Sequence, residues 1–450
     1  MIVATLTSFM TPFMGSSINI ALPAIGETFR INAVLLSWVA TSYLLAAAVF
    51  LVPFGRLADI WGRKKIFTYG VVVLTVSSFL SGISVSVFML IVFRILQGLG
   101  SAMIFATGIA ILTSVFPADE RGRALGINVA AVYIGLSLGP LLGGLLTQYL
   151  TWRSVFFVNV PFGMLIVFIV YRKLKAEWAE SKGEAFDMTG ALIYGTALVA
   201  VMYGVSRLPS ARSAWIIFVG FVGVVLFFMW ERRIEHPVFN TTLFTGNRVF
   251  AFSCLAALIH YSATFAVTFL LSLYLQYIKG FSPQWAGFVL ISQPAVMALF
   301  SPFAGRLSDK VEPRIVASMG MSITTFALIP FVFLTEKSSV GLVAANLLVL
   351  GIGLAFFSSP NTNAIMGSVD RRSYGLASGS VGTMRLLGMM ISMGIATVIF
   401  TLFMGRVQVT PEHYPDFIRS VRVAFAVFSV LCFFGIFSSM ARGRLRDSES

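Results

Sequence analysis

Charged and turn-forming residues cut this chain into about fourteen apolar runs, and that spacing constrains the fold more than any other feature. The hydrocarbon core of a bilayer takes about 20 mostly apolar residues of helix. Inside it, backbone amides must find hydrogen-bond partners within their own segment, so long apolar runs predict helices rather than loops. The runs fall at about 3–25, 34–54, 66–84, 87–114, 125–149, 154–171, 188–206, 214–230, 249–276, 284–304, 315–335, 339–362, 376–403 and 421–441. Composition agrees. Only 11% of residues are charged and 58% are hydrophobic, whereas a soluble domain carries roughly a quarter charged residues. The expected class is an all-α polytopic membrane protein. No stretch reads as a soluble domain. The longest polar stretch, YRKLKAEWAESKGEAFD from Tyr171 to Asp187, reads as a solvated, partly helical connector.

The placement of charge orients the spans. With both termini in the cytoplasm, most Lys and Arg fall on that side, including Arg56, Arg63, Lys64, Lys65, Arg172, Lys173, Arg232, Arg233, Arg306, Lys310, Arg314, Arg442, Arg444 and Arg446. The opposite face receives Arg30, Arg153, Arg207, Arg212, Lys279, Lys337, Arg406, Arg419 and Arg422. This obeys the positive-inside rule, and it accounts for the net charge of +14 without nucleic acid. A cell (plasma or inner) membrane location follows. Cys254 and Cys432 both lie in apolar runs, where they read as small buried hydrophobes, neither disulfide partners nor metal ligands. The first run is long enough to span and has no basic leader, so it reads as a span and not as a cleavable signal. The abrupt start points to a few further residues upstream. No metal or cofactor is expected.

A repeat organises the runs. GRLADIWGRKK, Gly55 to Lys65, follows the second run, and GRLSDKVEPRI, Gly305 to Ile315, follows the tenth. With the seventh and eighth runs set aside, two halves of six remain, each with its charged loop in the same place. The expected units are a six-helix bundle at 1–171, two linking helices at 172–248 and a second six-helix bundle with a short basic tail at 249–450. Parallel halves with a site between them describe a rocking transporter. Gly55 and Gly62 permit sharp turns or close approach. Asp59 can accept from a helix N-terminus or pair with a cation, and Arg63 supplies donors. Gly305 and Asp309 repeat the pattern, so both loops read as gating latches.

Here the sequence resembles the major facilitator superfamily. GRLADIWGRKK is similar to the superfamily's loop signature, with a weaker second copy where the superfamily has one. LIVFRILQGLGSA (Leu90–Ala102) is similar to its fourth-helix motif, and GLSLGPLLGG (Gly135–Gly144) to its fifth-helix antiporter motif. NIALPAI (Asn19–Ile25), TWRSVFFVNVPFG (Thr151–Gly163) and YLQYIKGFSPQWAG (Tyr274–Gly287) resemble segments of the fourteen-helix drug:proton antiporters. The resemblance covers essentially the whole chain. It implies a major-facilitator-like fold of two six-helix bundles plus two linking helices. It also implies proton-coupled efflux of small hydrophobic or amphipathic molecules by alternating access, and proton coupling at Arg94.

The polar residues inside the runs are few. Arg94 is costly in a helix unless it faces a cavity or finds partners, such as carbonyls of neighbouring helices. Gln97 shares its face. Arg385 poses the same problem in the second half. Gly135, Gly139 and Gly143 recur every four residues on one face, widened by Gly144, and Pro140 interrupts the hydrogen-bond ladder. This face is expected to pack against the opposite half. Gly375, Gly379 and Gly382 form a looser set. All carboxylates fall in loops or at helix ends, and Met14 stands where fourteen-helix antiporters commonly carry an Asp. His260 is the one imidazole deep in a run and a candidate proton carrier. Asn19, Trp38, Tyr43, Gln293, Asn361 and Asn363, with Gln97 and Arg385, are candidate substrate contacts. Uncharged amides and two arginines favour a neutral or anionic amphipathic substrate.

The expected partners are that small molecule, protons and the lipid bilayer, with the chain a monomer. A differently coupled metabolite exporter or uniporter is the alternative. A membrane-embedded enzyme would need an intramembrane His/Asp/Glu constellation, and His236 and His413 sit in loops without one. There is no GxxxxGK[ST] for ATP.

Overall fold

The computed structural model describes residues 2–116, 121–174, 176–208, 210–235, 237–239, 242–369, 374–405 and 407–443. His236, Arg406, Arg444 and Arg446 lie outside the described residues. The described residues are mostly helical, with no strand among them.

The first six helices are α1 (Ile2–Phe29), α2 (Ala33–Trp61), α3 (Arg63–Gly82), α4 (Val87–Val115), α5 (Arg121–Tyr149) and α6 (Ser154–Lys173). A hairpin of α7 (Met188–Val205) and α8 (Ala211–Glu231) follows. The last six are α9 (Arg248–Ile278), α10 (Pro283–Lys310), α11 (Pro313–Phe333), α12 (Val340–Gly367), α13 (Tyr374–Phe403) and α14 (Pro411–Ala441). Thirteen of these are long and apolar enough to cross a membrane. The exception, α1, has 28 residues and so a length of about 42 Å at 1.5 Å per residue. Its buried Thr7, Thr11, Ser16, Ser17 and Asn19 lower its apolarity, which suits a helix enclosed by others. With α1 the count reaches the fourteen predicted crossings.

Local chemistry sets the helix starts. Asn32, Ser86, Asp187, Ser210, Asn247, Ser282 and Ser339 each accept a backbone N–H at the first turn of α2, α4, α7, α8, α9, α10 and α12, filling a donor left over at every helix N-terminus. Gly62, at φ 112°, separates α2 from α3. Only glycine holds that conformation without strain.

In the first half α1 packs on α5, α2 on α4, and α3 on α4 and α6. In the second, α9 packs on α13 and α14, α12 on α10 and α11, and α11 on α14. The halves meet where α2 crosses α13, where α5 crosses α10, and where α1 meets the last part of α9. The linking hairpin stands beside this seam. Its α7 rests on α2 and also touches α13, while α8 packs on α7 and turns Trp215, Phe218, Val219 and Phe221 outward. The 171–187 connector is helical only at 171–173, the last turn of α6, and from 174 onward its described residues are irregular.

Candidate functional site: the seam between the halves

Inter-half hydrogen bonds gather at the end of the molecule away from the two charged loops. Ser272 Oγ donates to Asn19 O (2.7 Å) and Gln276 Nε2 to Ile20 O (3.1 Å). Tyr149 OH donates to Gln284 Oε1 (3.0 Å), and Gln408 Nε2 to Arg30 O (2.6 Å). Ser37 and Thr397 pair through their hydroxyls at 2.9 Å. Further toward the charged loops, Gly15 on α1 and Gly379 on α13 have open space where a side chain would begin. The described hydrogen bonds between the halves thus concentrate at one end of the seam, while nearer the charged loops a Cβ at Gly382 of α13 would lie 3.8 Å from Leu51 of α2.

The glycine series of α5 divides. A Cβ at Gly135 would strike Phe9 O, at Gly139 the Ser16 side chain, and at Gly143 Ser17, so these three close on α1 of their own half. Gly144 makes the cross-seam contact: its Cβ would lie 2.5 Å from Pro283 O. Gly287 of α10 returns it, since a Cβ there would strike Pro140 O. The expectation that this whole face meets the opposite half therefore applies only to its Gly144 edge. Spacing reveals a flat face but not the neighbour that uses it.

Two polar clusters lie inside the halves. In the first, Arg94 is 1% exposed. Its Nε donates to Val39 O (3.0 Å) and its Nη1 to Gln97 Oε1 (2.9 Å), while the guanidinium sits over the Tyr43 ring at 4.4 Å. Gln97 Nε2 donates to Ser78 Oγ and Tyr43 OH to Ser101 Oγ, both at 2.9 Å. The structure thus gathers Arg94, Gln97 and Tyr43 between α2, α3 and α4. In the second, Arg385 Nη2 donates to Tyr261 OH (2.8 Å) and its guanidinium lies 4.9 Å over that ring. Its Nε is buried without a partner. Gly382, one turn earlier on α13, would bring a Cβ 3.8 Å from Leu51 of α2 in the other half, and residues three apart share a helix face, so Arg385 lies on the side of α13 that meets the seam. Beside it His260 is fully buried and stacks on Phe357 at 3.9 Å. Neither ring nitrogen of His260 has a hydrogen-bond partner. Arg94 and His260, the two proton-coupling candidates, stand in different halves and do not touch.

Helix interruptions fall close to these groups. α9 breaks at Phe265, where Ser392 Oγ receives the Ala266 N–H (3.0 Å), and it ends in a π-turn at Tyr274–Ile278. α10 breaks at Ile291, two residues before Gln293, whose Oε1 is buried and unpaired. Asn19 Oδ1 is likewise unpaired. An unmatched buried acceptor costs on the order of 1–3 kcal/mol, and broken helices commonly frame transporter sites. Trp38 is half-buried against the core.

Asn361 and Asn363 sit elsewhere. Asn363 Nδ2 donates to Ser308 Oγ and Asp309 Oδ1, both at 3.0 Å, bracing the second charged loop. Asn361 accepts from Arg442 Nη1 (3.0 Å) and donates to Ser253 O (3.1 Å). By sequence Arg442 belongs with the basic tail, yet it is 1% exposed and also bonds Ser439 and Ser253. Burial pulls its guanidinium down to about 10, which leaves it cationic at neutral pH. Nothing in the local sequence of the tail signals this burial. Gly305 lies against Ser359, with a Cβ there 3.0 Å from its Oγ, and Gly55 has open space.

The first charged loop has the densest network. Arg63 Nε donates to Asp59 Oδ1 (2.9 Å) and its Nη1 to Ser114 Oγ (3.2 Å). Glu180 in the connector takes two further bonds from the same guanidinium. Sequence reasoning passed over Glu177, Glu180 and Glu184, although the acidic run AEWAESKGEAFD was the available signal.

Comparison with known proteins agrees with this architecture. The Major Facilitator Superfamily model matches residues 4–259 and 253–449. The riboflavin transporter RibZ of Clostridioides difficile is 29% identical over all of this chain and 98% of its own length. The multidrug resistance protein Stp of Mycobacterium tuberculosis is 32% identical, over 84% of this chain and 71% of its own. The tetracenomycin C resistance and export protein of Streptomyces glaucescens is 28% identical, over 89% and 74%. Among solved structures, a bacterial homologue of the human lysosomal transporter Spinster, inward-facing and occupied, shares the fold. It has TM-score 0.66 at 17% identity, over 98% of this chain and 95% of its own. The peptide transporter POT with bound sulfate gives TM-score 0.70 at 14% identity, over 96% and 93%. A multi-pass bundle with this seam, matched along nearly its full length, places the chain in the Major Facilitator Superfamily as a membrane transporter and not an enzyme.

Proposed function

We propose that this transporter exports hydrophobic or amphipathic small molecules against proton entry, by rocking its halves about the seam. In this reading the charged-loop end is cytoplasmic, and the structure is the inward-open arrangement. One observation carries the substrate class: among the described residues, neither half holds a buried carboxylate, and the seam offers Arg385, Tyr261, Gln293 and Asn19. Such a lining has nothing to pair with an organic cation, and it suits neutral or anionic amphiphiles. The export relatives support efflux. His260, which is buried and has both nitrogens unpaired, is the proton carrier of this scheme, and Arg94 ties α2 to α4 within the other half. The chain works as a monomer.

A second reading is a metabolite transporter without tight proton coupling. It is favoured by the same missing carboxylate and by the riboflavin transporter that matches over both full lengths. Proteoliposomes with an imposed pH gradient separate the two, using a panel of neutral, anionic and cationic fluorophores that includes riboflavin. Gradient-driven uptake of neutral or anionic compounds supports proton-coupled export. Equal flux with and without the gradient favours the second reading, and transport of cations alone contradicts the charge argument.

A further inference from the structure

The connector between α6 and α7 is bonded to the first charged loop at successive residues. Glu177 Oε1 accepts the Lys64 N–H (2.8 Å) at the first turn of α3, and a Cβ at Gly62 would lie 2.5 Å from that carboxylate. Trp178 O accepts the Arg63 N–H (2.8 Å). Glu180 takes Arg63 Nη1 and Nη2 at 2.7 and 2.8 Å. Asp59 O accepts the Ser181 N–H (3.0 Å), and Arg56 reaches Ser181 Oγ (3.1 Å) and Glu184. Three carboxylates thus meet two arginines and a helix N-terminus, whose free N–H groups and dipole favour an anion.

A guanidinium has five N–H groups. In Arg63 the Nε–H serves Asp59, Nη1 serves Ser114 and Glu180, and Nη2 serves Glu180 and lies 2.9 Å from Asp59. None is left for the opposite half. The segment also continues, through the Asp187 cap, into α7, the helix that touches both α2 and α13.

We propose that residues 176–187 are a counter-latch: Glu177, Glu180 and Glu184 are positioning residues that hold the first loop on its own half while the halves meet at the far end. They must release Arg63 before the loop ends of the halves join. The linking hairpin thereby acquires a role, as the tether that keeps this competing anion beside the seam. The inference rests on the reading of the loop as a gate.

The test uses the full chain in lipid nanodiscs, with spin labels at Trp61→Cys and Arg306→Cys, both exposed. Cys254 and Cys432 are buried. The E180Q/E184Q variant is expected to raise the short-distance population several-fold over the parent, and high salt to do the same in the parent but not in the variant, because Glu180 is exposed to screening. An unchanged distribution in a monodisperse E180Q/E184Q sample overturns the counter-latch. The gate reading has its own control: if R63A leaves turnover unchanged, the loop is no gate, whatever the labels report.

Discussion

His260 and Arg94 are both enclosed by protein, yet they are held in opposite ways. Arg94 spends its donors on Val39 O and Gln97, so Arg94→Ala leaves a carbonyl and an amide unmatched. Thermal unfolding in detergent should show a loss of about 1–3 kcal/mol. Arg94→Lys should restore little of it, because a point ammonium cannot reproduce the planar fork. His260 gives its partners only ring stacking. His260→Phe should therefore keep stability within about 1.5 kcal/mol, as volume-conserving swaps do, while flattening the dependence of transport on the pH gradient. Unchanged coupling in H260F would remove His260 as the proton carrier. The Arg94–Gln97 pairing was legible in the sequence, because residues three apart share a helix face. The burial of Arg442 was not: its partners Ser253 and Asn361 lie 189 and 81 residues away, and only the packing of α9, α12 and α14 brings them together.

Among the elements, α5 shows how far periodicity reaches. Four-residue spacing announced a flat glycine face, and the structure uses it twice, against α1 through Gly135, Gly139 and Gly143 and against α10 through Gly144. Gly143→Leu should lower the unfolding temperature, with an overpacking cost of about 1–3 kcal/mol or more, because Ser17 backbone atoms stand within 2.9 Å of the new Cβ. Gly379→Ala, with open space before it, should change stability little. Gly144→Leu should instead spare the first half and pry α5 from α10. The readout is increased labelling of cysteines placed at the closed end of the seam. The two linking helices were legible as spans, and their purpose was not. A polar connector read as solvated docks on a loop more than 100 residues earlier, and no local pattern encodes that pairing.

For the molecule as a whole, the apolar runs and the repeated loop carried the two-half arrangement. Which end is shut in a given state is a property of contacts between the halves, and it had no signature in the chain. Transport by rocking requires that closed end to open in every cycle. Tyr149 OH and Gln284 Oε1 lie 3.0 Å apart across it, which makes a Tyr149→Cys/Gln284→Cys pair the direct probe. With the two cysteines cross-linked by a short bifunctional reagent in proteoliposomes, substrate flux should fall to background and return on reductive cleavage of the linker. Full flux through quantitatively cross-linked protein would contradict the rocking of the two halves.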